Sequence, residues 1–252
     1  MTRPIFLFTD YGWAGFYVGQ LHASILPYRD AGSTGAVIDL MHDVPAHDVK
    51  AASYLLAALA EHTPENAIIV GVVDPGVGGD RPAVALEVDN RIFVGPGNGL
   101  FEIAKRRASD VTGHLLTWRP KSLSASFHGR DLFAPAAARI ATAGNDWREG
   151  LSKPLPQSLP LPGADWPDDL PSVIHIDGFG NAMTGIRAAK LPSGLAVAVN
   201  GRKIQKAITF SDLPKGDVFW YENSIGLVEI AVNQGRAAEF LKLEIGSAIG
   251  LI

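Results

Sequence analysis

A glycine-rich loop holds an acid and a guanidinium at the two ends of an eight-residue stretch. In VVDPGVGGDRP, residues 72–82, Asp74 and Arg81 lie at the two ends of a run that holds Gly76, Gly78 and Gly79. Glycine adopts backbone conformations closed to other residues, so this loop can bring the carboxylate and the guanidinium together. The pattern lacks the lysine of a phosphate-binding loop. Two interpretations stay open from these residues: a turn held by an ion pair, or an active-site loop.

A second segment, SFHGRDLFAPAAA at residues 126–138, holds His128, Arg130 and Asp131. Histidine titrates close to neutral pH, so His128 is a candidate for proton transfer. The structural alternative is a core histidine beside Asp131, which is predicted to cap the following helix. Acid, base and cation in two segments favour a shared site.

The segment HDVPAHD, residues 42–48, is a candidate metal site. Its side chains suit zinc or iron, and they are His42, Asp43, His47 and Asp48. Pro45 prevents the four from sharing one helical face, and Asp48 fits a helix N-cap. We therefore predict helix capping here and no metal, with a metal-dependent hydrolase as a third alternative that a chelator-insensitive activity would remove.

Aromatic and amide side chains gather in two C-terminal segments. DGFGNAMTG begins at Asp177, and FWYENSIGLVEIAVNQG covers residues 219–235. Aromatic rings beside a few polar groups are typical of a small-molecule pocket, while hairpin turns and core aromatics are the structural alternative. The polar and aromatic candidates are Asp177, Phe179, Asn181, Trp220, Tyr221, Asn223, Ser224 and Glu229.

Short apolar runs alternate with helical segments through residues 1–150. The predicted strands are 5–9, 36–40, 67–73, 83–88 and 91–94, and the predicted helices are 51–59, 100–108 and 131–143. This alternation predicts an α/β domain with a mostly parallel sheet and flanking helices. Asp10, Asp74 and the turn at residues 96–99 follow predicted strands, where ligands of such sheets bind.

The sequence changes character after residue 150. Residues 151–171 hold six prolines and are predicted to form an extended linker. Residues 172–252 carry predicted strands at 173–176, 195–199, 202–204, 218–221 and 227–232, with a tight hairpin at Asn200-Gly201. We predict a smaller antiparallel β domain there.

Composition narrows the class of protein. The chain has 252 residues, 47% of them hydrophobic and 19% charged, so it can bury a sizeable core. A net charge of -4 does not indicate a basic surface that would bind nucleic acid. The absence of cysteine excludes disulfides and thiolate nucleophiles. No apolar run is long enough for a membrane span. A cytoplasmic protein without nucleic acid or membrane partners is predicted.

Several segments together resemble the S-adenosylmethionine (SAM) hydroxide adenosyltransferase family, relatives of the fluorinase and chlorinase. They occur in family order over nearly the whole chain: TDYGWAGFYVGQLHASI, VVDPGVGGDRPAV, GPGNGLFE, FHGRDLFAPAAA, DGFGNAMTGI and NSIGLVEIAVNQGRAAEFL. The resemblance implies hydrolysis of SAM to adenosine and L-methionine, with Asp74, Arg81 and His128 placed around the attacking water. A SAM-dependent halogenase and a non-catalytic SAM- or adenosine-binding protein are the alternatives.

The resemblance also implies an assembly and a set of substrate contacts. The family forms trimers in which SAM is held where the N-terminal domain of one subunit meets the C-terminal domain of the next. Asp10 is expected at the ribose hydroxyls, and no cofactor is expected because SAM is the substrate. The remaining substrate contacts are assigned to Asn181 and Val232 at adenine, to Asp177, Ser224 and Glu229 at the methionine part, and to Asn98, Phe179 and Tyr221 in the same pocket.

Three positions depart from related patterns. The family commonly has an acid where this chain has Gly15, and another where it has Gly97, so two carboxylates are expected to be missing near the ribose. His47 falls where the fluorinase has an aromatic residue beside the substrate. That difference, and the loop of Asp74 and Arg81, favour hydroxide over halide.

Overall fold

The computed structural model describes residues 3–28, 35–192 and 196–252. The chain divides into two compact units, Met1–Ala164 and Asp165–Ile252. Each unit has its own core of buried apolar side chains.

The first unit is built on a seven-stranded sheet in the order β2-β1-β3-β5-β4-β6-β7. Its strands are β1 (Ile5–Thr9), β2 (Val37–Met41), β3 (Ile68–Val72), β4 (Ala83–Val88), β5 (Arg91–Pro96), β6 (Val111–Leu116) and β7 (Ser152–Pro154). β1 and β3 are buried at every residue, which explains their continuous apolar sequences.

The sheet is mixed, and its parallel part is a core of four strands. β2, β1, β3 and β5 run parallel, whereas β4, β6 and β7 are antiparallel to their neighbours. β4 and β5 are joined by the two-residue turn Asp89-Asn90, and so short a connection only allows antiparallel pairing. The α/β prediction is confirmed, but the parallel arrangement covers about half of the sheet.

Helices cover both faces of this sheet. They are α1 (Tyr17–Ile25), α2 (Val49–Ala60), α3 (Glu102–Arg107) and α4 (Ala134–Ala143). α1 and α4 pack together with Ile5, Leu7 and other side chains of the same strand face. α2 and α3 pack together, and Phe101 before α3 contacts Phe93, which points to the opposite face.

Two helix starts test the predicted caps. Asp48 caps α2, because its carboxylate accepts a hydrogen bond of 2.9 Å from the backbone N–H of Ala51. The prediction that Asp131 caps a helix is wrong. Asp131 lies inside a π-helical turn, Gly129–Phe133, that leads into α4, and its carboxylate accepts from the Ser124 N–H and from Arg130 instead.

The proline-rich segment is not a free linker throughout. Residues Ser152–Pro154 form β7 at the edge of the first sheet, where Leu116 pairs with Ser152. Proline is tolerated on an edge strand because its missing N–H need not join the ladder.

The second unit holds two sheets, of order β12-β13-β14-β9-β8 and β11-β10-β15. Their strands are β8 (Leu170–Ile176), β9 (Ala182–Arg187), β10 (Val197–Val199), β11 (Arg202–Lys203), β12 (Gln205–Lys206), β13 (Val218–Glu222), β14 (Leu227–Val232) and β15 (Gly250–Leu251). Pairing is antiparallel except between β12 and β13. A short helix, α5 (Ala237–Leu241), follows β14.

The predicted β-rich character of this unit is confirmed, with differences in detail. β9 and α5 were not predicted. Asn200 and Gly201 have φ of 51° and 76° and join β10 to β11, as the hairpin signal predicts. Leu195, the predicted start of that strand, lies outside the described residues.

In the ranges given above, none of the helices combines the length and apolar character that crossing a bilayer requires.

Candidate active site

Three polar residues follow neighbouring parallel strands of the first unit. Asp10 comes directly after β1, Asp74 shortly after β3 and Asn98 shortly after β5. Because these strands are parallel, their carboxyl ends meet at one edge of the sheet. This edge is where the glycine-rich loop begins.

Asp74, Arg81 and His128 lie in direct contact. Arg81 Nε donates to the two carboxylate oxygens of Asp74 at 2.9 and 3.0 Å, and Nη2 donates to Oδ2 at 2.5 Å. The same Nη2 lies 2.9 Å from His128 Nδ1, and the guanidinium stands 5.3 Å from the Phe133 ring centre. The side chains of Arg81 and Asp74 are only 12% and 4% exposed, so solvent screens this ion pair weakly.

Glycine lets the loop reach the segment that carries His128. Gly78 has φ of +81°, and a Cβ added there would lie 2.6 Å from the carbonyl oxygen of Ala125. Both observations exclude a larger residue. The loop of Asp74 and Arg81 therefore packs against the chain three residues before His128, which brings the three groups together.

His128 is held as a neutral ring. Arginine is only a donor, so its contact makes His128 Nδ1 the acceptor. Burial first, and then the charge of Arg81, lower the pKa of His128 below its usual value. The π-helical turn that begins at Gly129 follows directly, and such turns are frequent at functional sites.

Asp74 and His128 line a cavity of about 240 Å³, which we call the triad pocket, and Arg81 contacts both of them. Its lining residues are Asp10, Tyr11, Tyr17, His47, Val72, Asp74, Val77, Ser126, Phe127, His128 and Gly129. Tyr11, Tyr17 and Phe127 form an aromatic wall with ring centres 5.3 to 5.7 Å apart. Sequence reasoning did not single out these rings, although the aromatic residues of TDYGWAGFY were a visible signal.

Tyr11 follows Asp10 in the chain, and its ring extends to the backbone next to His128. A Cβ at Gly129 would come within 2.2 Å of the Tyr11 hydroxyl, so the phenol lies against the backbone next to His128. Burial is the largest cause that raises the pKa of Tyr11, and Asp10 adds to it, so the phenol stays protonated.

Asp10 is oriented by the segment HDVPAHD. Its Oδ2 accepts a hydrogen bond of 3.0 Å from the backbone N–H of His47, which has the left-handed φ of 64°. His42 is fully buried and bonded elsewhere, and Asp48 is the cap of α2. Among the residues that the structure describes, no three His, Cys, Asp or Glu side chains are grouped so as to hold a metal ion.

Asn98, a predicted substrate contact, and Gly97, where the family commonly has an acid, both make close contacts within the first unit. Asn98 Nδ2 donates to the Val73 carbonyl at 2.8 Å and its Oδ1 accepts from the Leu100 N–H at 3.3 Å. A Cβ at Gly97 would lie 2.7 Å from Pro82 Cγ, so the side chain of an acid has no room there. Gly97 is therefore a close-packing position in this chain, and the expected loss of a ribose carboxylate there stays a prediction.

The second unit has a cavity of about 630 Å³, which we call the amide pocket. Its lining residues are Asp177, Phe179, Asn181, Phe210, Tyr221, Val232, Asn233, Gln234, Gly235 and Arg236. Five of the residues predicted to contact substrate are among them. Phe179 is 79% exposed, which is unusual for a large aromatic side chain.

Side-chain hydrogen bonds orient the polar groups of the amide pocket. Asp177 Oδ1 accepts from the Phe179 and Asn181 N–H groups at 2.9 Å, and Oδ2 accepts from Asn181 Nδ2 at 3.1 Å. Glu229 accepts from the Tyr221 hydroxyl at 2.6 Å and from Asn223 Nδ2 at 2.8 Å.

Glu229 and Ser224, two predicted contacts of the methionine part, do not line the amide pocket. Glu229 is only 2% exposed, and burial raises its pKa, so it supports Tyr221 from behind. Ser224 is exposed in the turn between β13 and β14. Their contact with a substrate stays a prediction.

Family models match both units. The model described as the SAM hydroxide adenosyltransferase N-terminal domain matches residues 5–149, and the one for the C-terminal domain of that family matches residues 171–250. The family resemblance seen in the sequence is thereby confirmed.

Named relatives are similar over almost the whole chain. The chain is 38% identical to the (R)-S-adenosyl-L-methionine hydrolase of Thermus thermophilus, covering 99% of this chain and 100% of the relative. It is 39% identical to a protein of the same name from Salinispora arenicola, and the match covers 96% of this chain and 94% of the relative.

Solved structures share the fold. An uncharacterized conserved protein from Thermotoga maritima matches with a TM-score of 0.84 at 28% identity, covering 98% of this chain and 99% of that one. A conserved hypothetical protein from Thermus thermophilus matches with a TM-score of 0.77 at 36% identity, covering 99% and 100%. With both domain models matched and relatives this similar along nearly its full length, the chain belongs to the SAM hydroxide adenosyltransferase family.

Proposed function

We propose that this protein hydrolyses SAM to adenosine and L-methionine. The relatives named above are (R)-S-adenosyl-L-methionine hydrolases, and family membership covers both units. The single observation that carries the proposal is the contact of Asp74, Arg81 and His128 beside a cavity that also holds Asp10.

The reaction is an in-line displacement at the ribose C5′. A water oxygen forms a bond to C5′ while the bond from C5′ to the sulfonium sulfur breaks, and its electron pair returns to sulfur. Methionine leaves as a neutral thioether, so the leaving group needs no acid. The water loses one proton to solvent. The chemistry therefore demands help for the nucleophile, since bulk water has a pKa of about 15.7.

Arg81 is the electrostatic stabiliser in this proposal. A fixed positive charge in a poorly solvated site favours negative charge that develops on the attacking oxygen. Asp74 holds the guanidinium through its two oxygens and orients the water beside it. Orienting water toward C5′ removes part of the entropic barrier of a reaction between two molecules.

His128 acts as the proton relay. In the neutral ring Nδ1 is the acceptor and Nε2 carries the hydrogen, so the water proton enters at Nδ1, where it replaces the hydrogen bond from Arg81, and the Nε2 proton leaves to solvent. The protonated ring would place two cations side by side, so it passes its proton on and the neutral ring is the resting form.

The other contacts follow the division between the two pockets. We propose that Asp10 binds the ribose hydroxyls, that Asn181 and Val232 meet adenine, and that Asp177 holds the methionine part. Phe179 and Tyr221 supply aromatic contacts in the amide pocket. No cofactor or metal enters the proposed reaction, because SAM itself carries the leaving group.

We further propose a homotrimer that acts in the cytoplasm. In this assembly the triad pocket of one subunit and the amide pocket of the next complete each SAM site. The exposed aromatic residues Trp13, Phe16 and Phe179 support the assembly, since each would otherwise present a large apolar side chain to water.

Hydrolysis in oxygen-18 water tests the proposal. The purified protein is incubated with SAM, and the nucleoside product is analysed by mass spectrometry beside a reaction without protein. We expect adenosine that carries the heavy isotope at its 5′ oxygen. Unlabelled adenosine, or no adenosine, would overturn hydroxide transfer to C5′.

The same assay separates the alternatives. Added chloride or fluoride that yields a 5′-halo nucleoside would identify a halogenase. Binding of SAM and adenosine without turnover would identify a binding protein.

A further inference from the structure

A buried histidine supports the loop that carries Asp10 into the triad pocket. Thr9 ends β1, is fully buried, and has its hydroxyl 2.7 Å from His42 Nδ1. The same hydroxyl accepts the backbone N–H of Tyr11 at 3.2 Å. Thr9 thus closes a short side-chain turn around Asp10, and His42 fixes the hydroxyl that makes it.

The hydrogen bonds define which nitrogen of His42 carries the proton. Nε2 lies 2.9 Å from Asp39 Oδ1, and an ionised carboxylate only accepts, so Nε2 is the N–H. With the proton at Nε2, Nδ1 is left as the acceptor for the Thr9 hydroxyl. Burial raises the pKa of Asp39, but hydrogen bonds from His42 and His22 outweigh it and hold the pKa below its usual value.

His42 holds the same loop at a second point. Its backbone carbonyl accepts the N–H of Gly12 at 2.6 Å, and its ring lies edge-on to Trp13 with centres 4.8 Å apart. Its contacts therefore fall on both sides of Asp10 and Tyr11, the two loop residues that line the triad pocket.

We infer that His42 is a positioning residue, which acts through Thr9 to hold Asp10 and Tyr11 in place for ribose binding. The inference rests on the proposed function, because the ribose belongs to SAM and adenosine. His42 itself is fully buried and is absent from the lining of the triad pocket. Its effect on the reaction is indirect, through the placement of C5′ relative to the water.

The first test compares Thr9→Val with Thr9→Ser. Valine keeps the shape and removes the hydroxyl, whereas serine keeps the hydroxyl. The readout is the dissociation constant of 2′,3′-dideoxyadenosine divided by that of adenosine. This ratio measures how much the two ribose hydroxyls contribute to binding. We expect a wild-type ratio on the order of 10 to 100, typical of hydrogen bonds to a charged group, that falls toward one in Thr9→Val and is kept in Thr9→Ser.

A second pair of variants separates the two ring nitrogens. His42→Asn keeps an acceptor near the position of Nδ1, and His42→Gln keeps a donor near the position of Nε2. We expect the His42→Asn variant to keep a ratio of dissociation constants closer to that of the wild type than His42→Gln does. Its kcat/KM for SAM should also fall less. In the wild-type protein, nitrogen NMR of the imidazole should report an N–H at Nε2 of His42.

His22→Gln is the matched control. His22 also bonds Asp39 Oδ1, at 2.7 Å, but it lies at the exposed end of the network and leaves the His42 contact intact. We expect its ratio and kcat/KM to equal those of the wild type.

The outcomes separate this inference from the proposed function. A merely destabilised variant loses folded protein, which circular dichroism detects, and keeps the wild-type ratio. An unchanged ratio in folded Thr9→Val overturns the inference alone. A wild-type protein that releases no adenosine from SAM overturns the proposed function, and one that also fails to distinguish the two nucleosides overturns both.

Discussion

Arg81 is held by contacts on several sides beside the triad pocket. Asp74 faces it in a bidentate contact, His128 accepts from Nη2, and the Phe133 ring lies 5.3 Å from the guanidinium carbon. An arginine held in this way has lost most of its rotamer freedom before any ligand arrives. Its charge is thus already in place for the reaction.

Replacing Arg81 should reduce turnover more than binding. For Arg81→Gln we expect kcat to fall on the order of 10² to 10³, the usual effect of removing one transition-state donor, because the charge on the attacking oxygen loses its partner. The dissociation constant of adenosine should change little. Steady-state kinetics with SAM and calorimetric titration with adenosine measure the two effects.

Arg148→Gln is the control for the loss of an ion pair as such. Arg148 makes a similar bidentate contact with Glu87 at a distance from the triad pocket, and its side chain is 47% exposed. Its kcat should be that of the wild type. A rise in KM alone for Arg81→Gln would contradict the assigned role.

His128 should give the reaction an acidic limb. Burial and the charge of Arg81 lower its pKa, so the ring is neutral at pH 7 and takes up a proton only below its ordinary value of 6.5. Protonation would abolish the contact with Arg81, so kcat/KM should fall as the pH falls through this lowered pKa. The measurement is a profile of kcat/KM against pH, which reports groups of the free enzyme.

His128→Asn should flatten that limb. Asparagine keeps an acceptor for Arg81 but does not titrate. The same acidic limb in this variant would assign the pH dependence to another group.

At the scale of elements, continuous buried sequence was the reliable signal. β1 and β3 are buried at every residue and were predicted to within one residue, and Asp48 was correctly expected to cap α2. β9 was missed because the glycine and asparagine that precede it are typical of turns, while its neighbours β8 and β14 supply its burial. Tertiary pairing decides such a strand, and a single sequence does not display it.

The sequence predicted which triad side chains come together better than it predicted the contacts of the residues around them. The structure does bring Asp74, Arg81 and His128 together, and their catalytic role stays a prediction. The side chain of Asn98 bonds backbone groups near the strand ends, whereas Glu229 is buried and accepts from the side chains of Tyr221 and Asn223. Spacing along the chain does not reveal which side of a loop faces the ligand.

Gly97→Asp and Gly15→Asp form a pair that tests the packing of β5. An added Cβ at Gly97 would lie 2.7 Å from Pro82 and 3.1 Å from Val84 and Leu161, whereas at Gly15 the nearest atom is a Tyr17 ring carbon at 3.4 Å. Overpacking of this kind costs about 1 to 3 kcal/mol. We expect a lower Tm for Gly97→Asp only, measured by thermal unfolding, and equal Tm values would contradict this account.

At the scale of the whole molecule, six of the nine predicted substrate contacts line one of two pockets, Asp10 the triad pocket and five residues the amide pocket. The triad pocket belongs to the first unit and the amide pocket to the second. A cyclic trimer is one closed arrangement in which pockets of different subunits can serve the same ligand.

Mixing two inactive variants tests that arrangement. Arg81→Gln damages only the triad pocket and Asn181→Ala only the amide pocket. If each site uses pockets from neighbouring subunits, about one quarter of the sites in randomly mixed trimers are intact, and activity should return to about that level after co-expression. Each variant expressed alone is the control, and light scattering reports the trimer.

No recovery in mixed trimers of confirmed composition would show that both pockets of a site come from one chain. A monomer in light scattering would contradict the assembly itself.

The first sheet combines parallel strands with an antiparallel hairpin, and this difference affects the order in which its strands form. β4 and β5 pair through a two-residue turn, whereas β1 pairs Ile5 with Ile68 far along the chain. Closing a long loop costs more entropy, so contacts of this kind form later. Pulsed hydrogen exchange should therefore protect the amides of β4 and β5 before those of β1. Since Asp10 follows β1, the chain completes its triad pocket among the last events of folding, and a nascent chain stays inactive toward SAM until then.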